Sequence, residues 1–106
     1  MDWTPASERS ICDEITIAEA RMSACQLRIW KCIAIAPVKW GLKPRSDLGG
    51  SFWVVAILGR SVIWYNDIED GFDISPYSSF GEIEEYSASQ FELQHILQKI
   101  INRVSD

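Results

Sequence analysis

Phe52-Trp53-Val54-Val55-Ala56-Ile57-Leu58-Gly59-Arg60-Ser61-Val62-Ile63-Trp64-Tyr65 decides how this chain folds. Two runs of β-branched and aromatic residues, 52–58 and 61–65, flank a two-residue gap that begins with glycine. Such side chains suit a pleated, half-buried surface. A Gly-X pair suits a type II′ turn, whose first central residue takes a positive φ. The spacing predicts an antiparallel hairpin with Gly59-Arg60 at its tip. Strand 52–58 is apolar on both faces, which places it in the interior of a sheet with buried structure against it. Period-2 alternation sends Trp64 and Tyr65 to opposite faces, so one of them lies towards the surface or under a loop.

Working outward towards the N-terminus, 43–51 is rich in Gly, Pro, Ser and Asp and reads as a loop. Before it, Pro37 ends any preceding helix, and a short edge strand is expected over Val38–Leu42, because proline in a sheet favours an edge. The first 33 residues carry apolar groups at three- and four-residue steps, from Ile11 and Ile15 through Ala18, Met22 and Cys25 to Ile29 and Ile33. That stripe predicts amphipathic helix, with Thr4 as N-cap and Pro5 at the first helical position. Thr16-Ile17-Ala18-Glu19 has the pattern of a capping box, so the region is either one long helix or a pair broken near Thr16.

Working outward towards the C-terminus, 66–80 reads as a long connection with turn chemistry at Asp70-Gly71 and Ser75-Pro76. Glu82–Tyr86 is expected as a third meander strand. Ser89-Gln90-Phe91-Glu92 reads as a capping box opening a helix with its apolar stripe at Leu93, Ile96, Leu97, Ile100, Ile101 and Val104. The fold class expected is α+β, one domain over 1–106: an antiparallel meander sheet of three to four strands, with an N-terminal helix or helix pair and a C-terminal helix packed on it.

Composition narrows the function classes. Apolar residues make up 47% of the 106 and charged residues 24%, which is ordinary globular usage and excludes disorder for the bulk of the chain. No apolar run approaches the ~20 residues that span a bilayer, and the first residues lack a signal-peptide pattern, so no membrane role is expected and the location expected is cytoplasmic. Three cysteines, Cys12, Cys25 and Cys32, fit a reducing compartment and are expected to be buried as small apolar residues. The net charge of −5 is unevenly placed. Residues 1–60 hold eight basic and six acidic groups, whereas 61–106 hold two basic and nine acidic groups. Seven carboxylates fall between Asp67 and Glu85 with no Lys or Arg among them. That argues against nucleic acid as a ligand of this half and favours a basic partner drawn in by the field.

Candidate chemistry is thin. Placing Gly71 at the sixth position of a calcium-binding loop puts Asn66, Ile68 and Tyr77 at positions 1, 3 and 12, and neither Ile68 nor Tyr77 can do the ligating those positions require. Glu92 and His95 have the spacing of a carboxylate–histidine metal pair, but a di-iron site needs that motif twice. No G-x-S-x-G or Gly-rich phosphate loop occurs. No catalytic residue, metal or cofactor is therefore expected; a small enzyme would need a deep pocket joining His95 to two carboxylates. The informative residues are the acidic and aromatic ones. Trp64, Tyr65, Asp67, Glu69, Asp70, Phe72, Asp73, Glu82 and Glu84 are the candidate partner-binding residues, the carboxylates as charge complement and the aromatics as anchors or loop supports.

The same residues carry a resemblance. Gly49-Gly50-Ser51-Phe52-Trp53-Val54-Val55-Ala56, then Val62 to Phe72 with its Trp-Tyr-Asn-Asp-Ile-Glu-Asp-Gly-Phe core, then Tyr77, Phe80-Gly81-Glu82-Ile83 and Tyr86, with Pro37-Val38-Lys39-Trp40 upstream, resemble a family of small acidic bacterial proteins. It is similar to the immunity proteins of polymorphic and contact-dependent toxin systems. The likeness covers roughly Ile33 to Ile100. It implies a cytoplasmic inhibitor, made by the toxin-producing cell, that occludes the active site of a cognate toxin domain. A nuclease toxin with a basic groove would suit an acidic, substrate-mimicking surface. The chain departs from the pattern at Ser87-Ala88-Ser89-Gln90, where a Trp-Cys-Asn-Gln-like run is expected, which puts a partner-facing aromatic in doubt. The competing expectation is a homo-oligomer in which strand 52–58 and the C-terminal helix complete a core across a two-fold axis. The oligomeric state stays open.

Overall fold

A computed structural model describes residues 5–42 and 51–105. In chain order the elements are α1 (Glu8–Arg21), α2 (Ala24–Ile33), β1 (Ala34–Leu42), β2 (Ser51–Leu58), β3 (Ser61–Asn66), β4 (Gly71–Pro76), β5 (Glu82–Ile83) and α3 (Leu93–Ser105). The hairpin forms as its sequence implies: Leu58 pairs with Ser61, Ile57 with Val62 and Trp53 with Tyr65. Gly59 has φ 59°, while the positive φ values of non-glycine residues fall at Asp70 and Gln90 rather than at Arg60, as a II′ turn requires.

The architecture is α+β, and the sheet is larger than expected and not purely antiparallel. Its order is β4-β3-β2-β1-β5. Two features account for the difference. The expected connection 66–80 contains β4, which pairs with all of β3 from Ser61↔Pro76 to Asn66↔Gly71. The expected meander strand 82–86 shortens to Glu82–Ile83, and it runs parallel to β1 at Gly41 and Leu42. β1 itself starts at Ala34, directly after α2, and β5 lies beside only its last two residues. Thus the edge expected over Val38–Leu42 holds for 38–40 and fails for 41–42, and the strand extends back to Ala34. The sheet curls: Tyr77 N–H donates to Arg60 O, and Glu84 N–H donates to Pro76 O at 3.1 Å, bringing the chain after β5 back to the end of β4.

The helices break differently from the expected pattern. Thr4 lies outside the described residues; Ser7 is the N-cap of α1, its hydroxyl accepting from Ser10 N–H. α1 runs through Thr16, whose hydroxyl donates to Cys12 O one turn back instead of capping a new helix. The break comes at Met22-Ser23, where Ser23 and Gln26 form the reciprocal capping box that opens α2. α3 starts at Leu93 rather than Ser89, because Ser89 N–H is taken by Asp73 and Phe91 is paired with Phe72.

Each face of the sheet carries its own core. On one side Ile11 and Ala18 of α1, Trp30 and Ile33 of α2, and Leu93, Ile96 and Leu97 of α3 pack on Val55, Ala56, Ile63 and Phe72. On the other, Trp40, Leu42, Phe52, Val54, Val62, Trp64 and Ile83 pack together beneath the crossover from β4 to α3. A bulge between Val54 and Ala56 shifts the alternation, which is how consecutive Val55 and Ala56 both reach the helix side. Val54, Val55 and Ala56 of β2 and Leu93, Ile96 and Leu97 of α3 are buried within the one chain, whereas Leu58 is exposed and Ile100 and Ile101 are half-buried. Cys12, Cys25 and Cys32 are exposed, not buried. Cys25 and Cys32 do share a face of α2, but Trp30 and Ile33 occupy the face that meets the sheet. Among the described residues, no helix is long and apolar enough to cross a membrane.

Candidate partner-binding surface

The acidic stretch begins at the turn between β3 and β4. Asn66 builds it: its side-chain oxygen accepts from Ile68 N–H at 3.1 Å and Glu69 N–H at 3.3 Å, an Asx-type turn. Asp70 then takes φ 55°, so the positive φ expected of Asp70-Gly71 falls on the aspartate, a residue that tolerates it. Gly71 is required for a different reason. A Cβ there would stand 2.7 Å from the carbonyl carbon of Gln90 and closer still to its Cα. The strap 84–92 therefore lies directly on the β4 edge. Phe72 and Phe91 exchange both backbone hydrogen bonds, at 2.8 and 3.2 Å, and Asn66 Nδ2 donates to Ser87 O.

Several predicted site residues turn out to hold the fold. Trp64 and Phe72 are buried, in the two opposite cores, and Trp64 Nε1–H donates to Ser75 Oγ. Asp73 is 1% exposed; its Oδ1 accepts from Ser89 N–H, so its role is to anchor the strap. Asp67 Oδ2 accepts from Ala6 N–H at 2.7 Å, and Trp53 Nε1–H donates to Ala6 O, so Asp67 and Trp53 pin the segment before α1. Glu69 is half-buried and receives Gln90 Nε2 on its carbonyl at 2.8 Å and on its carboxylate at 3.3 Å.

Tyr65, Asp70, Glu82 and Glu84 remain at or near the surface. Tyr65 and Asp70 meet at the turn, where the phenol is 3.4 Å from Asp70 Oδ1. Burial first, and then the negative fields of Asp70 and Glu14, push the Tyr65 phenol up to about 12, so it stays a neutral donor. Glu82 and Glu84 lie on the crossover, away from the turn in sequence, with Glu84 accepting from Ser78 Oγ at 3.1 Å. The structure thus divides the nine residues into a turn group, a crossover group and a buried set between them.

The crossover also shows residues that pattern reading passes over. Phe80 is 76% exposed yet its ring lies 4.8 Å from that of buried Trp40, which Tyr77 meets edge-on at 5.1 Å. Tyr86 is exposed with its ring 6.1 Å from Trp64, and Ile68 is exposed at the turn. Glu85 is exposed beside Tyr86. The available signal was weak: an aromatic next to glycine in a polar run, and the last of the seven carboxylates from Asp67 to Glu85. His95 is exposed on α3, 3.7 Å from Glu92, whose other oxygen meets Arg21 at 2.7 Å. Among the described residues no group of three or more His, Cys, Asp or Glu could hold a metal ion.

One open groove adjoins the turn. It lies between α1, at Glu14, Ile17 and Ala18, and the wall made by Tyr65, Asp70 and the strap, and its volume is about 90 Å³. No family model matches the chain, and no curated protein or solved structure matches it.

Proposed function

We propose that the protein is an immunity protein that binds and neutralises a cognate bacterial toxin domain, a nuclease with a basic groove fitting best, in the cytoplasm of the cell that makes the toxin. It works by occlusion and carries out no catalysis of its own. The observation that supports this reading is the two exposed aromatics on the carboxylate-rich crossover. Phe80 and Tyr86 project to solvent while each is backed by a buried tryptophan, Trp40 and Trp64. Glu82, Glu84 and Glu85 separate them in sequence, and no Lys or Arg occurs from 61 to 98. A rigidly backed aromatic with a charged surround loses little freedom on binding and suits an interface centre. The field of the acidic half would speed encounter with a basic surface.

The test is co-purification of the tagged protein with the product of the adjacent upstream gene, followed by calorimetric titration. Nanomolar binding that weakens with added salt is expected. Phe80→Ala and Tyr86→Ala should each cost about 2 kcal/mol of binding, roughly 30-fold. Absence of binding to any neighbouring gene product, or tight binding indifferent to both substitutions and to salt, would overturn the reading.

A further inference from the structure

The groove beside the acidic turn has a chemistry distinct from the exposed aromatics of the crossover. Its volume of about 90 Å³ is well below the roughly 300–1,000 Å³ of ligand pockets, and it opens to solvent. It has room for the end of one long side chain. Glu14 on α1 and Asp70 on the turn stand on its rim, Tyr65 forms one wall, and Ala18 and Phe72 lie along its apolar inner side. The basic residue of the rim, Arg21, is already held by Glu92 at 2.7 Å, so it does not neutralise Glu14 or Asp70. The long 3.4 Å contact from Tyr65 leaves the second oxygen of Asp70 free to accept. Phe91, which also lines the groove, already carries a cation on its ring, Lys99 Nζ at 3.9 Å, so an aromatic of this lining accepts a basic group.

We infer that this groove seats one basic side chain, an arginine or lysine, presented by the partner protein. The aliphatic stem would lie against Ala18 and Phe72 while the cationic head meets Glu14, Asp70 and the face or edge of Tyr65. An anion is excluded by the same two carboxylates. The Tyr65 phenol is raised first by burial, and the negative fields of Asp70, Glu14 and Asp67 that add to the shift converge on the same wall. The source of the side chain rests on the proposed function; the cation preference of the groove does not.

The test therefore uses a partner-free probe. Acetyl-arginine methylamide is titrated into the isotope-labelled full chain, with the neutral isostere acetyl-citrulline methylamide as control, and amide shifts are followed. Saturable shifts at Glu14, Tyr65, Asp70 and Gln90 are expected with the arginine probe, at least ten-fold weaker with citrulline. The double variant Glu14→Gln, Asp70→Asn should lose at least ten-fold in affinity, and Asp13→Asn, on the same helix outside the groove, should not. Asparagine tolerates the positive φ at 70, so the turn keeps its shape. Equal binding of both probes, or of both variants, overturns the inference even where a toxin still binds. Arginine binding in a protein that has no toxin partner removes the proposed source of the side chain and leaves the groove chemistry supported.

Discussion

Gly71→Ala is the sharpest test of how this surface is held. The φ of Gly71 lies outside the left-handed region, so backbone freedom is not the reason for a glycine there. The reason is contact: an added methyl would overlap the Cα and carbonyl carbon of Gln90, which are backbone atoms and cannot rotate away. Either β4 bends or the strap lifts. Overpacking of this kind costs about 1–3 kcal/mol where the surroundings adjust. If the strap lifts, the two Phe72–Phe91 backbone bonds weaken, each worth about 1 kcal/mol net. The Ser89 bond to buried Asp73 is threatened as well. The expected loss is therefore about 2–4 kcal/mol, a sizeable part of the ~5–15 kcal/mol that stabilises a domain. For a chain of this length that corresponds to a fall in Tm of roughly 10–25 °C. Urea unfolding and native-state exchange of the Phe72 and Phe91 amides read it directly. Gly59→Ala is the contrasting case, with open space around its Cβ but a φ of 59°, and should cost only about 1 kcal/mol through backbone strain. A loss below about 0.5 kcal/mol at Gly71, with both amides still protected, would refute the packing of strap on strand.

Three further outcomes follow from local chemistry. Tyr65 has a phenol pKa raised to about 12, so the unfolded chain releases that proton first; the stabilisation is complete below pH 10 and disappears as pH rises towards 12. Ultraviolet titration should show one late-ionising tyrosine that Tyr65→Phe removes, and three tyrosines ionising together would contradict it. Ser23→Ala, which deletes the capping box of α2, should cost about 1 kcal/mol in chemical unfolding with no change in partner binding; an effect near zero would show that the cap contributes nothing to helix entry. All three cysteines should react with a thiol reagent in the native protein, and a thiol that needs denaturant to react would contradict the orientation of α1 or α2.

The parts legible in the sequence are those set by near neighbours. The β2–β3 hairpin follows from a Gly-Arg gap between two β-rich runs, and α3 follows from a 3.6-residue stripe. β4 was hidden because Gly71, Asp73 and Pro76 lower its intrinsic preference; pairing with β3 through a four-residue turn outweighs that. β5 depends on a parallel pairing some forty residues distant, which no local pattern reports. The Ser89–Glu92 box was a sound signature overruled by tertiary demand, since Asp73 needs the Ser89 N–H and the β4 edge needs Phe91. On α2 the cysteines and the large apolar residues offered competing faces, and the sheet took Trp30 and Ile33. At the site, residue type was legible and depth was not. Trp64, Phe72 and Asp73 match the chemistry of an interface, yet the β3–β4 register turns them inward.

That inward turn has a consequence for how binding would divide among the carboxylates. Asp67 and Asp73 each receive a backbone N–H from a distant segment, so replacing either one removes a partner from a part-buried donor before it alters any interface. Asp70 and Glu85 are exposed, and their substitution leaves the described core untouched. All of them contribute to the same long-range field, which acts on encounter within a Debye length of about 8 Å at physiological salt and beyond it more weakly. The exposed ones are best placed to touch a partner and so to govern how long a complex lasts. A charge scan scored by affinity alone would merge these two effects and would count the loss of the Asp67–Ala6 bond as a loss of binding. Separating association from dissociation rates, with stability measured on each variant, keeps the structural carboxylates apart from those exposed to a partner.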